Sequence, residues 1–272
     1  MMKRSTRLTL LMIICLCTIF FGCKKTFEYS PYSGETDKTY TELRTSKNID
    51  KIIATNVEND RFKVAFLSDT HYFHDELEDA VEHINADNSI SFVVICGDLS
   101  DQGMQKEYTY LYEQGLRLNK PILTVIGNHD YLANAEDIYA TMFGPVNYTL
   151  DFHGYRFIFF DNVFWEKNAT PDFSWLNAQA SAAVTENKKP ILISHIPFFG
   201  DQYDSTSREK HLQIVRNNNI SLSVHGHQHT YSYTQIGDNS KCLVVPSIGK
   251  KSYCIVSFGE PQKDPVVSTV NF

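Results

Sequence analysis

Five short clusters in this 272-residue sequence hold side chains that bind cations. Asp69 and His71 stand two apart, and Asp98 follows Gly97. Gly127, Asn128, His129 and Asp130 are consecutive. His195 stands alone, and His225, Gly226, His227, Gln228 and His229 run together. Imidazole nitrogen with carboxylate and carboxamide oxygen is the ligand set of divalent or trivalent metals of intermediate hardness, such as Zn, Fe or Mn. On extended backbone, side chains two residues apart fall on the same side. That applies to Asp69 with His71 and to His227 with His229. There are ligands enough for two ions, and a carboxylate can bridge a pair. Two ions about 4 Å apart suit an in-line displacement at phosphorus, because they stabilise the attacking and departing oxygens together.

Taken singly, each cluster is unremarkable. A lone histidine at a strand end is more often a surface or core residue than a ligand, and Gly-Asp is a common turn. The weight lies in their context, because every cluster directly follows an apolar run that reads as a strand. Such runs are predicted at 63–67, 92–96, 122–126, 191–194 and 220–224. Helical spacing is predicted between them, at 76–86, 105–118, 135–142, 175–185 and 208–217. His153 and Gly154 join two further runs, 148–152 and 155–160, into a hairpin. Beyond Thr230 the pattern is all strand, with turns at 237–239 and 247–249. Alternating strands and helices predict an α/β core, and the strand-rich second half predicts a second sheet against the first. One domain with two central sheets and helices outside accommodates both. In such a sheet the carboxyl ends of the strands line one crevice, so clusters distant in sequence converge.

In this order the clusters resemble the motif series of the calcineurin-like metallophosphoesterases, over residues 61–259. The resemblance implies two mixed β-sheets packed face to face in an αββα sandwich. It implies one metal held by Asp69, His71, His229 and bridging Asp98, and a second held by Asp98, Asn128, His195 and His227. A hydroxide bridging the two ions would attack the phosphorus of a phosphate monoester or diester. His129 would assist catalysis as a hydrogen-bond donor or general acid, with Asp130 orienting it; the plainer reading of Asp130 is a turn residue. Residues 97–103, with Glu107 and Tyr108, resemble the branch that includes class III cyclic-nucleotide phosphodiesterases. Asp101 stands three residues after Asp98, where purple acid phosphatases have a tyrosine ligand.

Other histidines receive modest readings. His225 is expected to point away from His227 or to be buried. His74 is a candidate for substrate contact from a loop. His83, His153 and His211 read as surface residues. Phe73, Tyr131, Phe198 and Phe199 flank the clusters as cleft wall or packing.

Hydrophobic residues make up 42% of the chain and charged residues 21%, so a sizeable core can form. Lys3, Arg4 and Arg7 precede an uncharged run at 8–22, too short for a spanning helix but suited to an export signal. It ends in Gly22 and Cys23, a loose match to a bacterial lipobox. Residues 1–22 are therefore expected to be a signal segment, 23–60 a lipidated N-terminus and polar tether, and 61–272 the domain, anchored at a membrane of the bacterial cell envelope through lipid on Cys23. An uncleaved anchor, or ordinary cleavage nearby, are the alternatives. Loss of the three basic residues with the signal takes the formal charge from −7 to −10, which argues against a broad nucleic-acid-binding surface. It leaves phosphate-containing substrates open, since bound metal reverses the local sign. Cys96, Cys242 and Cys254 remain in the mature chain. Cys96 is expected as a buried thiol, and Cys242 and Cys254 are candidates for pairing on neighbouring strands.

Two other functions share these residues: a non-catalytic metal-binding module of the same fold, and a metal-dependent hydrolase of a non-phosphate ester. On the lipoprotein reading, Cys23→Ala releases the protein from membranes on fractionation; a variant that still partitions with membrane points to an uncleaved anchor.

Overall fold

Alternation along each strand decides which side faces which layer. In β1 (Phe62–Leu67), Phe62, Val64 and Phe66 enter one apolar layer while Ala65 and Leu67 enter another. In β2 (Ile90–Cys96), Phe92, Val94 and Cys96 join the first layer, and Ile90, Val93 and Ile95 the second. Strands buried on both faces need cover on both sides, and the computed structural model shows how it is supplied. The structure describes Thr36 and residues 39–237, 239–259 and 264–272. The expected signal segment and Cys23 lie outside these residues. Among the described residues no helix is long and apolar enough to cross a membrane.

The first sheet is ordered β11-β10-β1-β2-β3, with β3 at Ile122–Val125, β10 at Ser252–Phe258 and β11 at Val266–Asn271. β1, β2 and β3 run parallel, and β10 joins β1 antiparallel with Phe62 opposite Phe258. The second sheet contains β4 (Tyr148–Phe152), β5 (Tyr155–Phe159), β6 (Lys189–Ile193), β7 (Leu222–His225), β8 (Ser232–Gln235) and β9 (Lys241–Val244). Its order is β4-β5-β6-β7-β9-β8, with β5, β6, β7 and β9 parallel. Between the sheets lies a layer rich in aromatic rings, where Phe62 stacks on Phe258 at 4.9 Å and Tyr148 on Phe159 at 4.4 Å. Helices α2 (His74–Ala86), α3 (Gln105–Arg117) and α4 (Ala135–Met142) cover the outer face of the first sheet. α5 (Phe173–Thr185) and α6 (Ser205–Asn217) cover the second. This is the expected pair of mixed sheets with helices outside.

Several boundaries move for local reasons. α5 and α6 begin earlier than expected, where Asp172 caps the N–H of Trp175 at 2.9 Å and Asp204 that of Ser207 at 2.7 Å; in α5 the buried Phe173 already opens the apolar face. His153 (φ 44°) and Gly154 (φ 79°) form the two-residue left-handed turn that suits a hairpin. The expected tether to residue 60 is in part a docked helix, α1 (Thr45–Ile53). Its Asn48 accepts from the N–H of Ile122 at 3.1 Å, and Ile52 enters the inter-sheet layer. Thus a polar-looking stretch satisfies an edge group of β3 and adds to the core.

Two expectations need correction. Cys242 and Cys254 are free and buried, and they sit in different sheets, so they are not neighbours. His211, expected at the surface, is 0% exposed. It lies on the inward face of α6 with Ile214 and Val215, three and four residues on, and the Tyr203 hydroxyl meets its Nδ1 at 3.1 Å.

Burial holds His211 down at about 4. The unfolded chain takes up this proton near 6.5, so between these values it binds more protons than the native state. Stability therefore falls as pH drops through that window, by about 3 kcal/mol for this one group. Urea denaturation of wild type and His211→Gln at pH 7 and pH 4.5 checks this. The variant loses less stability on acidification; an equal loss removes His211 as a source of acid sensitivity.

Candidate metal centre

β1, β2 and β3 of one sheet and β6 and β7 of the other end at the same edge of the sandwich, and each is followed by one cluster. Backbone bonds join the ends. The N–H of Asp69 donates to the carbonyl of Gly97 at 3.1 Å, that of His71 to Asp98 at 3.2 Å, and that of Gly226 to His195 at 2.9 Å. The sheets meet here through Asp69, whose two carboxylate oxygens each accept from the N–H of His227 at 3.1 Å. The approach leaves no room for two side chains. A Cβ at Gly226 would overlap Ser68 Oγ, and one at Gly127 would overlap the backbone and carboxylate of Asp98. The expected extended backbone at Asp69–His71 and His227–His229 is corrected here: the pairs converge through tight turns, in which Asp69 (φ 52°), His71 (40°), Asp98 (52°), His227 (68°) and His229 (57°) all adopt the left-handed region. Such conformations cost free energy and concentrate at functional sites.

The side chains form groups that share corners. Asp69, His71 and His229 offer nitrogen and oxygen atoms within 4.8 Å of one another, as do Asp98, His195 and His227, and His71, Asp98 and His129. Asp98 Oδ2 lies 3.1 Å from His195 Nε2 and 3.7 Å from His71 Nε2. Asp69 Oδ1 lies 3.2 Å from His229 Nε2. Asn128 Oδ1 faces His195 Nε2 at 3.2 Å and His227 Nδ1 at 3.0 Å. All seven residues read from the sequence as ligands are thus brought together.

Hydrogen bonding shows what this arrangement can hold. His195 Nδ1 lies 2.7 Å from the carbonyl oxygen of Cys96, which can only accept. That nitrogen carries the proton, so in the neutral ring Nε2 presents a lone pair to two acceptors, the Asp98 carboxylate and Asn128 Oδ1. His71 Nε2 and His229 Nε2 face each other at 3.4 Å, where a single proton fits between them. Protons can occupy these contacts, and the same converging atoms can hold a cation in their place. The ring nitrogens, carboxylates and amide oxygen fit metals of intermediate hardness.

Protonation follows the same logic. Burial pushes His195 down, but the charge and hydrogen bond of Asp98 outweigh it and raise the imidazole to about 9. Burial would lift Asp98, yet His195, with His129 and His71 adding, holds its carboxyl well below the usual range. The bond to Asp69 raises His229. Burial lowers His71 and His227, with His195 lowering His227 further.

His129 stands beside the cluster, its ring 4.7 Å from that of His71 and edge-on. Its Nδ1 donates to the carbonyl of Asp101 at 2.7 Å, which leaves Nε2 available. The reading of Asp130 as the residue that orients His129 is corrected here. Its buried carboxylate instead takes five hydrogen bonds, from the N–H groups of Gly127, Leu99 and Ser100 and the hydroxyls of Ser100 and Tyr108. Asp130 ties the loop after β3 to the loop after β2. Burial, then the charge of Asp98, raises it to about 6 despite these donors.

His225 is buried, with Ser194 Oγ at Nδ1 and Ser223 Oγ at Nε2, so both ring nitrogens are used. His74 opens α2 rather than sitting in a loop, and its ring packs 4.0 Å from Tyr110. Tyr131 donates to Asp161 at 2.6 Å, and Phe198 is buried while Phe199 is exposed. Sequence reasoning passed over Glu166, Asp201 and Gln202. Glu166 accepts from Asn128 Nδ2 at 3.1 Å, and Asp201 lies 3.3 Å from His227 Nε2. They belong to loops with no periodic pattern, so no signal short of the fold marks them.

Comparison with known proteins adds the following. The family model described as "Calcineurin-like phosphoesterase" matches residues 62–231. Similar solved structures include a dimetal phosphatase from Danio rerio (TM-score 0.56, 13% identity, covering 76% of this chain and 98% of that one). GAP50, the anchor in the inner membrane complex of Plasmodium, matches with TM-score 0.60 and 14% identity over 78% of this chain and 84% of that one. The purple acid phosphatase PPD1 from yellow lupin (Lupinus luteus) seeds matches with TM-score 0.64 and 11% identity, over 78% of this chain and 51% of that one. At these identities the likeness is one of fold. No curated protein matches the chain.

Proposed function

The chain belongs to the calcineurin-like phosphoesterase family, and from that membership we propose that it is a metal-dependent hydrolase of phosphate monoesters or diesters. The observation that carries the proposal is the buried convergence of carboxylate, carboxamide and imidazole atoms, with His195 Nε2 against Asp98 and Asn128 and the groups sharing corners. Two divalent or trivalent ions, one at Asp69, His71, His229 and Asp98 and one at Asp98, Asn128, His195 and His227, would supply a water that is nucleophilic near neutral pH and would offset phosphoryl charge. The remaining work falls to the chain itself. The carbonyl of Cys96 holds the proton of His195 on Nδ1, so Nε2 is the nitrogen that would exchange its proton for a metal ion. The carbonyl of Asp101 does the same for His129, leaving Nε2 to hydrogen-bond a phosphoryl oxygen or pass a proton to the leaving group. Direct transfer to water needs no nucleophilic side chain. A lipid on Cys23 would hold this domain at the bacterial cell envelope.

The same fold serves in GAP50, a protein described as an anchor, so fold alone does not make an enzyme. Retention of every candidate ligand favours catalysis. Metal analysis together with hydrolysis of p-nitrophenyl phosphate and bis-p-nitrophenyl phosphate separates the readings; the diester is included for the resemblance to the cyclic-nucleotide branch. Turnover of either ester supports the proposal. Tight metal binding with turnover of neither favours the binding module.

Two substitutions test the roles. Asp98→Ala is expected to lose both ions, and a variant that keeps two contradicts the bridging assignment. His129→Ala is expected to keep the metals and slow turnover by about 10²–10⁴-fold. Unchanged turnover would remove His129 from the mechanism.

A further inference from the structure

Glu166 belongs to no motif, yet it reaches the centre. Building on the reading of Asn128 as a ligand, we propose that Glu166 is a positioning residue. It fixes the orientation of the Asn128 amide and thereby sets the affinity for one of the two ions.

The two ends of a carboxamide are alike in size and opposite in chemistry, so only its neighbours decide which way it turns. Glu166 Oε1 accepts from Asn128 Nδ2 at 3.1 Å. A carboxylate has nothing to donate, so the amide must turn its NH₂ towards Glu166 and its oxygen towards His195 Nε2 and His227 Nδ1. Turned the other way, Asn128 would offer an NH₂ to a cation. Glu166 is itself held in place, because its Oε2 accepts from Gln202 Nε2 at 2.8 Å. Gln202 is buried and equally fixed in orientation. Its oxygen accepts the backbone N–H groups of Phe164 at 3.0 Å and Trp165 at 3.2 Å, so its NH₂ has to face Glu166. Two NH₂ groups therefore converge on position 166. A glutamine there has one oxygen and one NH₂, and one of its contacts becomes donor against donor. Gln202 lies in the segment between His195 and α6, so the chain from Gln202 through Glu166 to Asn128 links the loop of one candidate ligand to that of another.

The test is Mn²⁺ titration of the full-length protein with chelator competition, in wild type, Glu166→Ala, Glu166→Gln, Asn128→Asp and the double variants. Wild type binds two ions. Glu166→Ala weakens one of them by about 10–100-fold and leaves the other unchanged. Glu166→Gln, of equal volume, moves in the same direction and is the variant to read if the alanine form does not fold. In the Asn128→Asp background both oxygens of residue 128 are alike and there is no wrong orientation, so the same substitutions at 166 cause no loss. No loss in either background overturns the proposal. An equal loss in both does so too, because it marks Glu166 as general support for the loop. Wild type that takes up no second ion brings down the proposed function, and this inference with it.

Discussion

A carboxylate taken out of water costs several kcal/mol unless positive charge or donors meet it, and Asp69, Asp98 and Asp130 are buried together around the candidate metal centre at one edge of the sandwich. Asp130 is met entirely by donors, five of them from backbone and hydroxyl groups. Asp69 and Asp98 are not. One N–H reaches each, from His227 and His129 respectively, and the rest of their oxygen surface faces imidazole nitrogens. That difference separates a carboxylate that holds loops together from two whose surroundings fit the proposed metal ions. The other features of the edge serve the same requirement. His195 is pinned by a carbonyl so that its free nitrogen points inward, and Asn128 turns its oxygen rather than its NH₂ to the cluster.

The sandwich meets this requirement because parallel strands place their carboxyl ends together, and because two sheets rather than one contribute them. Bringing the two edges close forces abrupt turns. Five of the clustered residues take left-handed backbone, and glycines stand where a Cβ would strike a neighbour's carboxylate or hydroxyl. The apolar layer between the sheets, with Phe62, Phe92, Phe157 and Phe258 packed ring to ring, supplies a rigid base for that local strain.

Most of this architecture is legible in the sequence, because strands covered on both faces are continuous apolar runs and the clusters follow them directly. Helix spacing located α2 to α6 within a few residues. The start of α6 was missed because an aspartate cap and polar residues, rather than an apolar residue, set its first turn. Local order near 49–54 was legible from the apolar residues there, but the first turn of α1 was not, because its buried face includes Thr45 and Asn48, polar residues whose groups are satisfied only in the folded protein. His211 escaped for a related reason: a neutral imidazole occupies a position in the helix period that an aliphatic residue would ordinarily fill. At the centre, residue types and spacing pointed to the five clusters, and the resemblance to the metallophosphoesterases singled out seven residues within them. The role of Asp130, the donors it gathers and the Glu166–Gln202 relay depend on which loops meet, and sequence order does not encode that.

The pairing of Phe62 with Phe258 has a bearing on how the molecule comes into being. β1 lies in the middle of its sheet, and one of its two neighbours, β10, comes far later in the chain, at Ser252–Phe258. Until that segment emerges from the ribosome, β1 keeps one edge open, with unpaired backbone groups beside a row of phenylalanines. Contacts this distant are slow to form, and an open edge invites association with other chains. The interval before β10 arrives is therefore the stage at which a nascent copy most needs a chaperone.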